Sequence, residues 1–281
     1  MLSFGSAVNT VQGNLIGTNV TGTGALGNEG FAGVLISQSP DNTIGGMEAA
    51  ARNIISANLG AGLEIAGTVA TGNVFQDNFI GTDVTGTIDL GNAFDGVLIN
   101  GASNNTLGGT TAAARNVISG NNSYGVSISG IGATGNLVQG NFIGTDVTGT
   151  VDLGNSNAGV IMSTGSSNNT IGGTNTGAGN VISGNGFTGV QISTSNSTGN
   201  LVQGNFIGID VDGTSSLGNV SNGVLVDNAS ANTIGGTTSG ARNVISGNGA
   251  HGVAISGSSN LVEGNLIGTD VAGAQPTSVM S

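Results

Sequence analysis

Four carboxylates return at one point of a repeated phrase. Asp83, Asp146, Asp210 and Asp270 each follow Gly-Thr or Gly-Ile, and Asn19 holds the same place in the first copy. Such a row could hold Ca²⁺ or act on sugars. Sugar hydrolysis needs two carboxyl groups about 5–9.5 Å apart with separated pKa values, and Ca²⁺ needs about six to eight oxygens converging on one point. Carboxylates on every second layer of a stack stand about 9.6 Å apart and supply no such convergence. An Asp that bonds the backbone of its own turn accounts for the same position more simply. The four are therefore expected as turn formers, with Ca²⁺ a weak candidate ligand and no other cofactor required. Asp89 and Asp152 are expected as solvated turn residues.

Arg52, Arg115 and Arg242 also share a column, in which the fourth member is Gly179. A guanidinium beside acids suits a sugar-acid enzyme, but a repeated one suits an ion pair or a carbonyl bond on the outside of each turn. His251 and Tyr124 are singletons in the variable column before Gly-Val, which is expected to be an exposed turn. A lone His without a nearby acid is poor general-base material.

The elements that carry these residues are repeats. The phrase Asn141-Phe142-Ile143-Gly144-Thr145-Asp146 has partners opening at Asn14, Asn78, Asn205 and Asn265, with steps of 64, 63, 64 and 60. A finer marker, Gly-Val-x-Ile, begins at Gly33, Gly62, Gly96, Gly125, Gly159, Gly189, Gly223 and Gly252, with steps alternating near 29 and 34. A fixed period over the whole chain means stacked coils. Each coil holds three short alternating runs, such as Val126-Ser127-Ile128, Asn136-Leu137-Val138 and Asn141-Phe142-Ile143, which read as three strands.

Alternation sends Val126 and Ile128, and their copies from Leu2 and Phe4 to Val253 and Ile255, inward as aliphatic columns. Asn opens the second strand from Asn9 to Asn260. It opens the third at Asn14, Asn53, Asn78, Asn116, Asn141, Asn180, Asn205, Asn243 and Asn265, so stacked amides can bond copy to copy as structural ladders. The outward row of the third strand, Phe79, Val117, Phe142, Val181, Phe206 and Val244, is apolar. It is either covered by the long turns through Val84, Val147, Val211 and Val271 or is a lateral self-association surface. The Leu of each long turn (Leu26, Leu90, Leu153, Leu217) is expected to pack outside the next first strand.

The runs Asn116-Val117-Ile118-Ser119-Gly120-Asn121 and Gly125-Val126-Ser127-Ile128 resemble the coil pattern of right-handed parallel β-helix repeat proteins of the pectate-lyase-like superfamily. The resemblance covers nearly the whole chain. It implies an all-β, single-stranded right-handed parallel β-helix of about nine three-strand rungs, one domain over residues 1–281. It leaves activity open, because that superfamily includes lyases, hydrolases, epimerases, phage spikes and surface proteins.

Composition narrows the partners. With no Lys, three Arg and a formal net charge of −12, the chain lacks the basic patch that nucleic acid or an anionic membrane requires. No apolar run of about 18 residues is present, no Cys is available for disulfides, and Met1-Leu2-Ser3-Phe4 does not read as an export signal. Regular coils without a polar cap at either end point to a non-enzymatic structural or adhesive segment of a longer repeat protein, secreted or at the cell surface. Its expected partner is itself, end to end or laterally. The alternative is a carbohydrate-binding or polysaccharide-active β-helix, which would show a cleft with paired acids and aromatic platforms. Ice binding through Thr43, Thr106, Thr170 and Thr233 is a distant third.

Overall fold

The computed structural model describes residues 1–3 and 5–275. They form a right-handed parallel β-helix of three continuous sheets, the hand that parallel crossovers take. The first sheet holds eight strands from Ala32–Ser37 to Val253–Ser256, and Leu2 bridges Ile36 at its start. The second runs through nine strands from Thr10–Val11 to Leu261–Glu263, and the third through nine from Leu15–Ile16 to Leu266–Ile267. Phe4, expected in the first inward column, lies outside the described residues.

Register follows the repeat: Val126 pairs with Val160 and Ile128 with Met162 on one side, with Val97 and Ile99 on the other. These inward side chains are almost fully buried, as are Phe75 and Val138 from the second sheet and Ile118 and Ile143 from the third. The lumen is thus a packed apolar core, which non-directional burial stabilises.

The corners are closed by amides. Along the second strands, Nδ2 of each Asn donates to Oδ1 of the next from Asn9 to Asn260, at 2.8 to 3.3 Å. The third-strand ladder does the same through Asn78, Asn116, Asn141, Asn180, Asn205 and Asn243, at 2.8 to 3.1 Å. Each backbone N–H also donates to the next Oδ1, as Asn116 does to Asn141 at 3.2 Å. A third ladder, not anticipated, runs through Asn28, Asn58, Asn92, Asn121, Asn155, Asn185, Asn219 and Asn248 at 2.8 to 2.9 Å. It was legible as the Asn four or five residues before each Gly-Val. Beside it a Cβ on Gly125 would stand 2.6 Å from the Gly159 carbonyl and 2.8 Å from Asn155 Nδ2, so glycine is needed for the close approach.

The long turns fold over the third sheet. Each is a small hairpin closed by an antiparallel bridge, Thr82 to Asp89 and Thr145 to Asp152. Neighbouring hairpins bond across two rungs, Val147 N–H to Gly86 O at 2.9 Å and Val211 N–H to Gly149 O at 3.1 Å. Their valines and glycines sit on the Phe rings: a Cβ on Gly149 would lie 2.8 Å from Phe142 Cζ and 2.9 Å from Val211 Cβ. The row Phe79, Val117, Phe142, Val181 and Val244 is therefore buried at 1 to 3 % exposure. Only Phe206 is half-buried. Of the two readings of this row the covered one holds, and it offers no lateral self-association surface. The turn leucines cover less than expected, with Leu90, Leu153 and Leu217 half-buried and Leu26 exposed.

Candidate functional site

The repeated carboxylates serve the hairpins. Asp146 Oδ1 accepts from the Thr148 hydroxyl at 2.7 Å and from the N–H groups of Thr150 and Val151 at 3.3 and 3.2 Å. Asp83 repeats this with Thr85, Thr87 and Ile88, Asp210 with Thr214 and Ser215, and Asp270 with Ala272 and Ala274. In the first copy the amide oxygen of Asn19 does the same work. The turn needs an acceptor oxygen rather than a charge. No group of three or more His, Cys, Asp or Glu able to hold a metal ion occurs among the described residues.

The arginines are also structural. Arg52 pairs with Asp77 at 2.6 Å, while Arg115 Nε donates to Gly140 O at 3.1 Å and Arg242 Nε to Gly264 O at 3.0 Å. The guanidinia of Arg52 and Arg115 lie over Phe79 and Phe142, 4.1 and 4.0 Å from the ring centroids, adding cation–π attraction. At Gly179 the turn loses the short 3₁₀ segment that precedes each Arg (Ala49–Ala51, Ala112–Ala114, Ser239–Ala241), and Phe206 goes without a guanidinium.

The column before Gly-Val is not the exposed turn expected. Ala61, Ala158, Thr188 and Asn222 are buried there, Asp95 and Tyr124 half-buried, and only His251 is exposed. The corner bends inward to bring its backbone against the amide ladder.

One place departs from the repeat in a way that leaves space. Five residues separate Asn28 from Gly33, against four from Asn58 to Gly62 and from Asn92 to Gly96. Phe31 in this turn is 87 % exposed, and Phe94 stands two rungs on, 61 % exposed. That separation is about 9.6 Å along the rod. Between them lies Gly60, whose N-terminal neighbour Leu59 is also exposed, and a Cβ on Gly60 would collide with the Phe31 carbonyl. The result is a slot of about 530 Å³ floored by Ala61 and Leu98, with carboxylates from Glu29, Glu64 and Asp95 among its lining. Asp95 Oδ1 accepts the Tyr124 N–H at 3.2 Å. Burial pushes its carboxyl above the usual value of 3.8, with bonds from Ser123 and Tyr124 pulling partly back. Glu64 stands on the outward side of its first-sheet strand, where the neighbouring coils carry Leu35 and Leu98.

Residue-type reasoning passed over this slot because its members lie on three coils. The signal available was the extra residue after Asn28, together with Phe31 and Phe94 in corresponding turns. Phe187 occupies the same turn farther along and is also exposed.

No protein-family model matches the sequence, and no curated protein matches it. Two solved structures do: crystal structures of the periplasmic alginate epimerase AlgG and of a point mutant of it. The first covers 93 % of this chain and 68 % of its own, with 13 % identity and a TM-score of 0.50. The mutant covers 89 % and 67 %, with 13 % identity and a TM-score of 0.51. The likeness is one of fold, consistent with the pectate-lyase-like resemblance.

Proposed function

We propose that this chain is a non-enzymatic, extracellular adhesive β-solenoid that binds polysaccharide in the slot between Phe31 and Phe94. The observation that carries the reading is the exposed pair of Phe rings at one slot, where Phe79 and Phe142 of the third sheet are buried under turns. Apolar rings two rungs apart, each on a bend beside the first sheet, suit the apolar faces of successive sugar rings. The rod extends by coils. Ile255, Val262 and Ile267 of the last described coil are 38 to 47 % exposed, a face that takes another coil of this chain or of a second copy. Rods multiply slots, and multiplicity raises avidity without new contacts.

A second reading is a polysaccharide-active enzyme, favoured by the raised pKa of Asp95 beside two further carboxylates. One set of experiments separates the two. Immobilised polysaccharides should retain the protein and lose it on Phe31→Ala or Phe94→Ala, while product analysis should find no chain cleavage or epimerisation. Turnover abolished by Asp95→Asn would establish the second reading instead.

A further inference from the structure

Resting on the slot as a glycan site, we infer that its ligand is cationic: a polysaccharide bearing free amino groups, an unacetylated amino-sugar polymer. The slot's ten lining residues include Glu29, Glu64 and Asp95 and no Lys, Arg or His. Glu29 and Glu64 make no side-chain hydrogen bond or ion pair among the described residues, so their charges are uncommitted. The chain's three arginines cannot neutralise them, because each is engaged at the third sheet with Asp77, Gly140 or Gly264.

A ligand must answer both features of the slot. Ammonium groups placed against aromatic faces and carboxylates gain cation–π attraction and charge-assisted hydrogen bonds together. A neutral sugar would stack on the rings but leave the carboxylates without counter-charge. A polyuronate would set like charges against three acids. The net charge of −12 adds a field that draws a polycation and repels a polyanion.

The test compares three soluble probes by calorimetry with the intact chain at neutral pH and low salt: glucosamine oligomers, their fully N-acetylated counterparts and a polyuronate of similar length. The first two differ only by an acetyl group that removes the charge. Glucosamine oligomers should bind roughly tenfold tighter than the acetylated ones, with the preference lost at high salt. Glu64→Gln should reduce that preference while leaving the circular dichroism spectrum unchanged. Phe94→Ala should weaken both glucosamine-based probes. Equal affinity for charged and acetylated oligomers, or tighter binding of the polyuronate, overturns the cationic ligand and leaves the glycan slot standing. Binding indifferent to Phe31→Ala and Phe94→Ala, or no binding by any probe, removes the slot as a glycan site and the inference with it.

Discussion

Phe142 and Phe94 belong to the same rod and meet opposite fates. Phe142 points out from the third sheet yet is 2 % exposed, because Gly149 and Val211 of the stacked hairpins lie on one part of it and the Arg115 guanidinium on another. Phe94 stands near the first sheet and is 61 % exposed, with no hairpin over it. Outward position does not decide exposure on a solenoid; what crosses over the position does. The third-sheet face is spent on stability, and the slot is the region where an exposed aromatic surface is left for a ligand.

The largest expected effect tests the scaffold both faces share. Asn141 accepts two bonds from Asn116 and donates Nδ2 to Leu107 O at 2.9 Å and to Asn180 Oδ1 at 3.1 Å. Asn141→Ala strands buried partners on both neighbouring coils and should cost roughly 4 kcal/mol in denaturant unfolding. A loss under about 1 kcal/mol would mean that the ladders are decoration.

Next comes the direct contrast. Phe142→Ala opens a cavity under the hairpins and should cost about 3 kcal/mol, whereas Phe94→Ala should change stability by less than about 0.5 kcal/mol. Comparable losses would make the slot phenylalanines structural and end the distinction between the faces.

The Arg52 and Asp77 pair gives a smaller effect with a definite sign in pH. Burial pushes the Asp77 carboxyl above its usual 3.8, while the hydrogen bond and charge of Arg52 pull it back down. The folded state then holds a proton that the unfolded chain has released. This group's contribution therefore falls as pH rises from 3.8 through the raised folded value, and is flat above it. Arg52→Ala should widen that window and cost about 1 kcal/mol at neutral pH, read from melting curves at successive pH values. A mutant equally stable at acid and neutral pH, once the same scan of Asp77→Asn is subtracted, would show that Arg52 does not compensate Asp77.

Smallest is Asp146→Asn. Because Asn19 closes the same turn with an amide oxygen, the substitution should stay within about 0.5 kcal/mol with or without added Ca²⁺. Stabilisation of the wild-type chain by Ca²⁺, lost in this variant, would restore the carboxylate row as a metal site.

Much of this was readable from residues alone. The period, the inward Val and Ile columns and two amide ladders follow from alternation and spacing, because each coil contacts chiefly the next and repeats the same local problem. The third ladder was just as regular but was hidden beside the more conspicuous Gly-Val marker. The slot was less legible, since Glu29, Phe31, Gly60, Glu64, Phe94 and Asp95 carry meaning only once three coils are stacked.

The sequence by itself determined the solenoid: strands that alternate with a period of two, coils that repeat, and Asn and Gly at the corners admit few other ways to bury their apolar faces and satisfy their backbones. Tertiary structure decided which outward rows are surface. The hairpins bond to one another across two rungs and so lie over the third sheet, and no short-range pattern encodes that crossing. The same long-range geometry brings Phe31 and Phe94 to either side of the Gly60 turn and leaves both exposed.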